Sequence, residues 1–268
     1  MKKVCVVIPI HSSNPSEIEL RSFEQCFRVL NKYSVYVLTI NNLDLVKYKE
    51  RIPSFESVIV PDKWLSSVHE YNKMKININF YKLFVDFEYL LTYELDAYVF
   101  NDQLQYWVER EFDYIGAPFV ENNNGSFALS YVGNSGFSLR NIQTCILILS
   151  QLQKQIRISN FLNYLKLSIL IKIIAYFERF YSNIFFIKCR IISAYSEGIY
   201  IHEDIFWSYF IPKLFPLFKV AEVEFALKFA FEKLPSNCFQ LNNNELPFGC
   251  HGWGKYEPVF WQKFMKDN

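Results

Sequence analysis

Residues 4–10 read VCVVIPI, and the fold class turns on this run. It is continuously apolar and rich in β-branched residues, the pattern of a strand buried on both faces rather than one with a wet face. A polar, proline-containing loop follows, then SEIELRSFEQCFRVLNKY (16–33), where Ile18, Leu20, Phe23, Phe27 and Leu30 recur at roughly helical spacing. Ser16 is placed to cap that helix, with Glu19 three residues on as its capping-box partner. SVYVLTI (34–40) reads as a second strand and SVIVP (57–61) as a third. Strand, helix, strand in this order predicts an α/β fold, a Rossmann-like and mostly parallel central sheet flanked by helices.

The chain has 268 residues, of which 51% are hydrophobic and 19% aromatic, ample for a packed core. Its 28 Lys and Arg against 27 Asp and Glu leave a net charge of +1, so no global attraction to nucleic acid is expected. Six cysteines lie scattered without a C-x-x-C pair, which argues against a zinc knuckle or a disulfide scaffold and for a reducing, cytoplasmic setting. MKKVCVVIPI imitates a signal peptide, but Pro9 breaks its apolar run and no A-x-A-like cleavage site follows. No stretch of 18 uncharged apolar residues suggests a membrane-spanning helix. With no repeat or low-complexity linker, one domain over 1–268 is expected, with a helical insertion around 142–195.

Further along, 68–87 reads as helical, and LLTYELDAYVF (90–100) as the strand that follows it. On a strand Glu94 and Asp96 share a face, and their repulsion is relieved by a hard divalent cation such as Mg or Mn. The alternative is a strand that has ended by Thr92, with both acids solvated in a turn. Residues 113–141 hold four of the eight glycines and read as loop, either close to a ligand or merely tightly turned. Within them VGNSGFSLRN offers amide and hydroxyl groups for sugar hydroxyls, and Phe137 offers a ring face.

In IYIHEDIFWSYF (199–210) Glu203 and Asp204 open a helix. They are either favourably placed against its dipole or include a carboxylate base held at a strand-to-helix junction. In PFGCHGWG (247–254) His251 stands between glycines and beside Trp253, as a turn residue or as an imidazole folded toward a distant cation.

In this order the pieces resemble the GT-A type of nucleotide-sugar-dependent glycosyltransferase. YELDAYVF looks like its DxD metal motif in an ExD form, HEDIF like the acidic motif that carries the base in fringe-like inverting enzymes, and GCHGW like their metal-binding histidine. A closer resemblance is to a bacterial family known only as a domain of unknown function, found among surface-polysaccharide genes. D-Y-I-G-A-P (Asp113 to Pro118), G-N-x-G-F-S-L-R (Gly133 to Arg140), E-D and F-G-C-H (Phe248 to His251) carry it.

The resemblance implies Asp96, His251 and Glu94 as ligands of Mn or Mg, Glu94 directly or through water. It implies a nucleotide-sugar donor, with UDP as nucleotide, near Pro9, Ile10, His11 and Asp96. Asp204, or in second place Glu203, would be the base toward a glycan acceptor hydroxyl, and Gly133, Asn134, Ser135, Gly136, Phe137, Ser138 and Trp253 would contact sugar or acceptor. A rival expectation is a glycan-binding protein that kept the fold and lost turnover; a metal-dependent phosphate-ester hydrolase is a third. Between 151 and 190 seven basic residues stand against one acid, Glu178. That composition suits either an interfacial helix on anionic lipid, beside a lipid-linked acceptor at the inner face of the membrane, or helices packed on the sheet with snorkelling lysines.

Overall fold

A computed structural model of the chain describes residues 2–123, 126–164 and 202–265. Strands β1 (Lys2–Pro9), β2 (Ser34–Ile40), β3 (Glu56–Val60) and β4 (Phe87–Tyr93) run parallel, as the apolar runs predicted. A six-stranded sheet has the order β3-β2-β1-β4-β9-β6, completed by β6 (Tyr114–Ile115) and β9 (Phe137–Asn141). Only β9 runs against the rest, pairing antiparallel with both β4 and β6. Alternation along β1 feeds two cores: Val4, Val6 and Ile8 pack under one face, Cys5 and Val7 under the other.

Helix α1 (Glu17–Val29) connects β1 to β2 and starts where the sequence predicted. The Ser16 hydroxyl accepts from the Glu19 amide, and the Glu19 carboxylate accepts from the Ser16 amide at 2.7 Å. Ser16→Ala is expected to destabilise the protein by about 1 kcal/mol in urea unfolding. Leu20, Phe23 and Leu30 are buried as the spacing suggested, whereas Ile18 is exposed. Helix α2 (Val46–Arg51) precedes β3.

Two expectations are corrected downstream. The segment 68–87 is not one helix: α3 (Val68–Lys75) stops, Asn77 caps α4 (Ile78–Lys82) by accepting from the Asn79 amide, and β4 begins at Phe87. Nor is 113–141 a loop, since it holds β6, the hairpin of β7 (Pro118–Asn123) with β8 (Ser126–Val132), and β9. Its glycines are set among aromatic and β-branched residues that pair across strands, and these outweigh the turn signals.

After α5 (Leu104–Val108) and the sheet strands comes α6 (Ile142–Tyr164), the described part of the helical insertion. The remainder of that insertion, with Lys166, Lys172 and Arg179, lies outside the described residues. Helix α7 (Glu203–Ile205) runs through a π-helical turn at Phe206–Phe210 into α8 (Ile211–Leu214). A second, three-stranded sheet has the order β10-β11-β5, from β5 (Tyr98–Val99), β10 (Ala230–Phe231) and β11 (Gly249–Cys250). No described helix is long and apolar enough to cross a membrane.

Candidate functional site

The stretch 90–100 is two strands in two sheets, not one. β4 ends at Tyr93, and the Ala97 amide donates to the Glu94 carbonyl at 2.8 Å, closing a tight turn before β5. Glu94 and Asp96 therefore share a turn rather than a strand face. They are nevertheless brought together with His251: carboxylate oxygens of both acids and an imidazole nitrogen lie within 4.8 Å of one another.

Strand pairing explains the convergence. Tyr98 pairs with Cys250 across the antiparallel β5–β11 ladder, so the residues just before β5 and just after β11 meet. The Trp253 amide donates to the Asp96 carbonyl at 3.3 Å and fixes that approach. Parallel pairing of Phe231 with Cys250 brings Glu232, the residue after β10, beside His251 as well.

His251 Nε2 stands 2.9 Å from Asp96 Oδ1 and 3.4 Å from Glu94 Oε2, while Nδ1 is 3.6 Å from Glu232 Oε1. Both ring nitrogens are buried, and neither makes an aligned hydrogen bond. Burial disfavours a charged imidazole, but Asp96, Glu232 and Glu94 outweigh it and hold the group well above its ordinary range. Burial likewise opposes ionisation of Glu94, yet Lys75 and His251 keep its carboxyl well below the usual range. Two carboxylate oxygens and an imidazole nitrogen converging on one point form a donor set that fits a hard divalent cation.

Two buried cations absent from the sequence expectations organise the surroundings. Lys75, at the end of α3 and 1% exposed, reaches Glu94 Oε1 at 3.0 Å, Glu203 Oε1 at 2.8 Å and Ser135 Oγ at 2.8 Å. Its three N–H donors are thereby all engaged. With Oε1 of Glu94 tied to Lys75, Oε2 is left facing His251. Arg140 on β9 makes ion pairs with Glu203 at 2.9 Å and hydrogen bonds to Ser138 and Tyr81. Neither stands out in the sequence: Lys75 follows Lys73 in NKMKINI and Arg140 lies between Leu139 and Asn141 in FSLRN, so no local signal marks either as buried.

This network settles the two acids of α7 differently. Glu203 is fully buried and ion-paired with Arg140 and Lys75, which fits an anchor for the helix start rather than the base expected of it in second place. Burial works against its ionisation, but Arg140 and then Lys75 prevail and keep its carboxyl low. Asp204 is partly exposed, accepts from the Ile205 amide at 2.7 Å, and has its carboxyl raised by burial and by the neighbouring Glu203 charge.

The glycine-containing segment serves the site from behind. Gly136 accepts at its carbonyl from the Glu94 amide at 2.8 Å. A Cβ on Gly136 would stand 2.0 Å from His251 Nε2, and one on Gly133 would strike the Phe119 ring. The expected sugar contacts of Phe137 and Ser138 are corrected: both are fully buried, Phe137 among Tyr93, Phe229 and Phe248. Gly133 and Asn134 are also buried, and Ser135 is occupied by Lys75. Trp253 is 5% exposed and packs edge-on against Tyr98, which leaves no open ring face for a sugar.

A cavity of about 490 Å³ opens beside the cluster at the carboxyl ends of β1 and β4, lined by Pro9, His11, Glu19, Tyr71, Glu94 and Asp96 together with the 65–68 turn. Open α/β sheets bind ligands at this edge. Pro9 and His11 line this cavity at the end of β1, whereas the Ile10 side chain is in the core.

The chain is similar to solved structures at low identity. The WbbM bifunctional glycosyltransferase in its apo form is 10% identical, with a TM-score of 0.50, over 98% of this chain and 49% of its own. A glycosyltransferase involved in glycosylating the major capsid of PBCV-1 is 11% identical, with a TM-score of 0.46, over 98% of each chain. The apo form of the glycosyltransferase GlyE of Streptococcus pneumoniae TIGR4 is 11% identical, with a TM-score of 0.43, over 100% of this chain and 61% of its own. The fold is thus of the GT-A type, a mostly parallel central sheet flanked by helices. No curated protein matches the sequence. Residues 54–251 match the model of the family described as "Protein of unknown function (DUF5672)", and the chain belongs to that family.

Proposed function

We propose that the protein is a metal-dependent glycosyltransferase that moves a sugar from a nucleotide diphosphate donor to a glycan hydroxyl, with inversion at the anomeric carbon. The observation that carries this reading is the convergence of Glu94, Asp96 and His251 at the wall of a nucleotide-sized cavity. The fold shared with the WbbM bifunctional glycosyltransferase is consistent with it.

Asp96, Glu94 Oε2 and His251 Nε2 would hold Mn or Mg, which when bound neutralises the diphosphate as the glycosidic bond breaks. Pro9, His11 and Tyr71 would receive the nucleoside part in the cavity, for which UDP is our choice. Lys75 keeps Glu94 ionised and fixes which of its oxygens faces the cation. Asp204 takes the proton from the attacking hydroxyl, and burial with the neighbouring Glu203 charge raises its carboxyl, which strengthens it as a base. The acceptor we envisage is a glycan of a bacterial surface polysaccharide.

Slow hydrolysis of UDP-sugars by the purified protein tests the reading. Release of UDP that requires Mn and ceases with EDTA is expected; no release from any nucleotide sugar, with or without metal, would overturn it. Gly136→Ala is expected to leave the fold intact yet weaken Mn binding by about tenfold or more, because the added methyl displaces the imidazole. Electron paramagnetic resonance of free Mn checks that outcome.

A further inference from the structure

Three carboxylates surround His251, and the two ring nitrogens divide them. Glu94 and Asp96 lie at Nε2, on the cavity side, and Glu232 lies at Nδ1, on the other. The two nitrogens of an imidazole point to nearly opposite sides, so Glu232 cannot share a cation with Nε2. It stands apart from the group of donor atoms that converge within 4.8 Å. Its burial nonetheless resembles that of a site residue: its side chain is 13% exposed against 15% for His251.

Resting on the proposed metal site, we infer that Glu232 is a positioning residue, an outer carboxylate that sets the tautomer and direction of His251. A ring whose Nε2 presents a lone pair to a cation must carry its remaining proton on Nδ1. In a buried setting that N–H needs an acceptor, since leaving it unmatched costs about 1–3 kcal/mol. Nδ1 has no hydrogen-bond partner, and Glu232 Oε1 is the acid facing it at 3.6 Å. A hydrogen bond forms at about 3 Å, within reach of a small side-chain rotation.

The backbone is built for this placement. Glu232 directly follows β10, His251 directly follows β11, and the two strands are in parallel register with Phe231 beside Cys250. The His251 amide donates to the Phe231 carbonyl at 2.9 Å, locking the two ends together. On the opposite side Gly136 leaves no space for the ring to swing, as a Cβ there would already touch it. Once Glu232 accepts a hydrogen bond from Nδ1–H, Nε2 can point only at Glu94 and Asp96.

The test is a titration of Mn into the full-length protein, followed by electron paramagnetic resonance, for wild type, Glu232→Gln and Glu232→Ala, with circular dichroism to confirm folding. Glu232→Ala is expected to bind Mn about 10- to 100-fold more weakly. Glu232→Gln should fall between, because its amide oxygen still accepts from Nδ1–H. Equal Mn affinity of Glu232→Ala and wild type overturns the inference. Nitrogen-15 NMR of histidine in the Mg-loaded wild type reads the tautomer directly: a proton on Nδ1 is expected, and its absence would overturn the assignment even if affinities fall. Failure of the wild type itself to bind Mn would instead defeat the metal site on which the inference rests.

Discussion

Arg140→Met is expected to destabilise the protein by about 3–5 kcal/mol in urea unfolding, the largest stability effect of any single change considered. Arg140 and Glu203 are fully buried and paired at 2.9 Å, so removing the guanidinium leaves a carboxylate in the core with Lys75 as its remaining cationic partner. The tyrosine and serine that bond Arg140 lose a partner at the same time. Replacing Arg140 and Glu203 together by Met and Leu should recover part of the loss, because no unpaired charge is then left buried. A loss under about 1 kcal/mol, the worth of an exposed pair, would mean that water reaches the network.

The same pair sets an acid limit to stability. The Glu203 carboxyl is held low in the folded state, so its contribution is complete above the ordinary carboxylate range. It is lost as pH falls below that range toward the folded-state value, and Glu203→Gln should flatten this acid limb.

Asp204→Asn is expected to lower the transfer rate by about 10²- to 10⁴-fold while nucleotide and metal binding stay within twofold or so of wild type. The two effects separate because Asp204 lies on α7 and does not line the cavity, whereas Glu94 and Asp96 form part of its wall. A drop in nucleotide binding equal to the drop in rate would place Asp204 in the donor site and remove it as the base.

The early part of the fold was legible because its signals are local. VCVVIPI and SVYVLTI are apolar runs of strand length, and Ser16 with Glu19 marks a helix start within four residues. The stretch from Leu90 to Phe100 misled for the opposite reason. Its continuous apolar character hides a turn and a change of sheet, and β5 is two residues long, held by pairing with the distant β11.

That long-range pairing also sets the limit for the site. Glu94, Asp96 and His251 could be named individually from their placement among apolar and glycine residues, and Asp204 from its helix start. Their contacts with Lys75 and Glu232 depend on the end of α3 and the end of β10, where a lone charge ordinarily points into solvent. Phe137 was misassigned because an aromatic beside glycines reads equally as a ring exposed to a sugar or as a core residue, and β9 turns it inward.

Thermal unfolding with and without UDP and Mn, for wild type and Asp96→Ala, bears most directly on the central claim that Glu94, Asp96 and His251 hold a cation for a nucleotide diphosphate. At ligand concentrations about a hundredfold above Kd the wild type should gain about 3 kcal/mol, a rise in melting temperature of roughly 5 °C or more. That gain should require UDP and Mn together and vanish in Asp96→Ala. Equal stabilisation by UDP with and without Mn, or an undiminished response in Asp96→Ala, would contradict it.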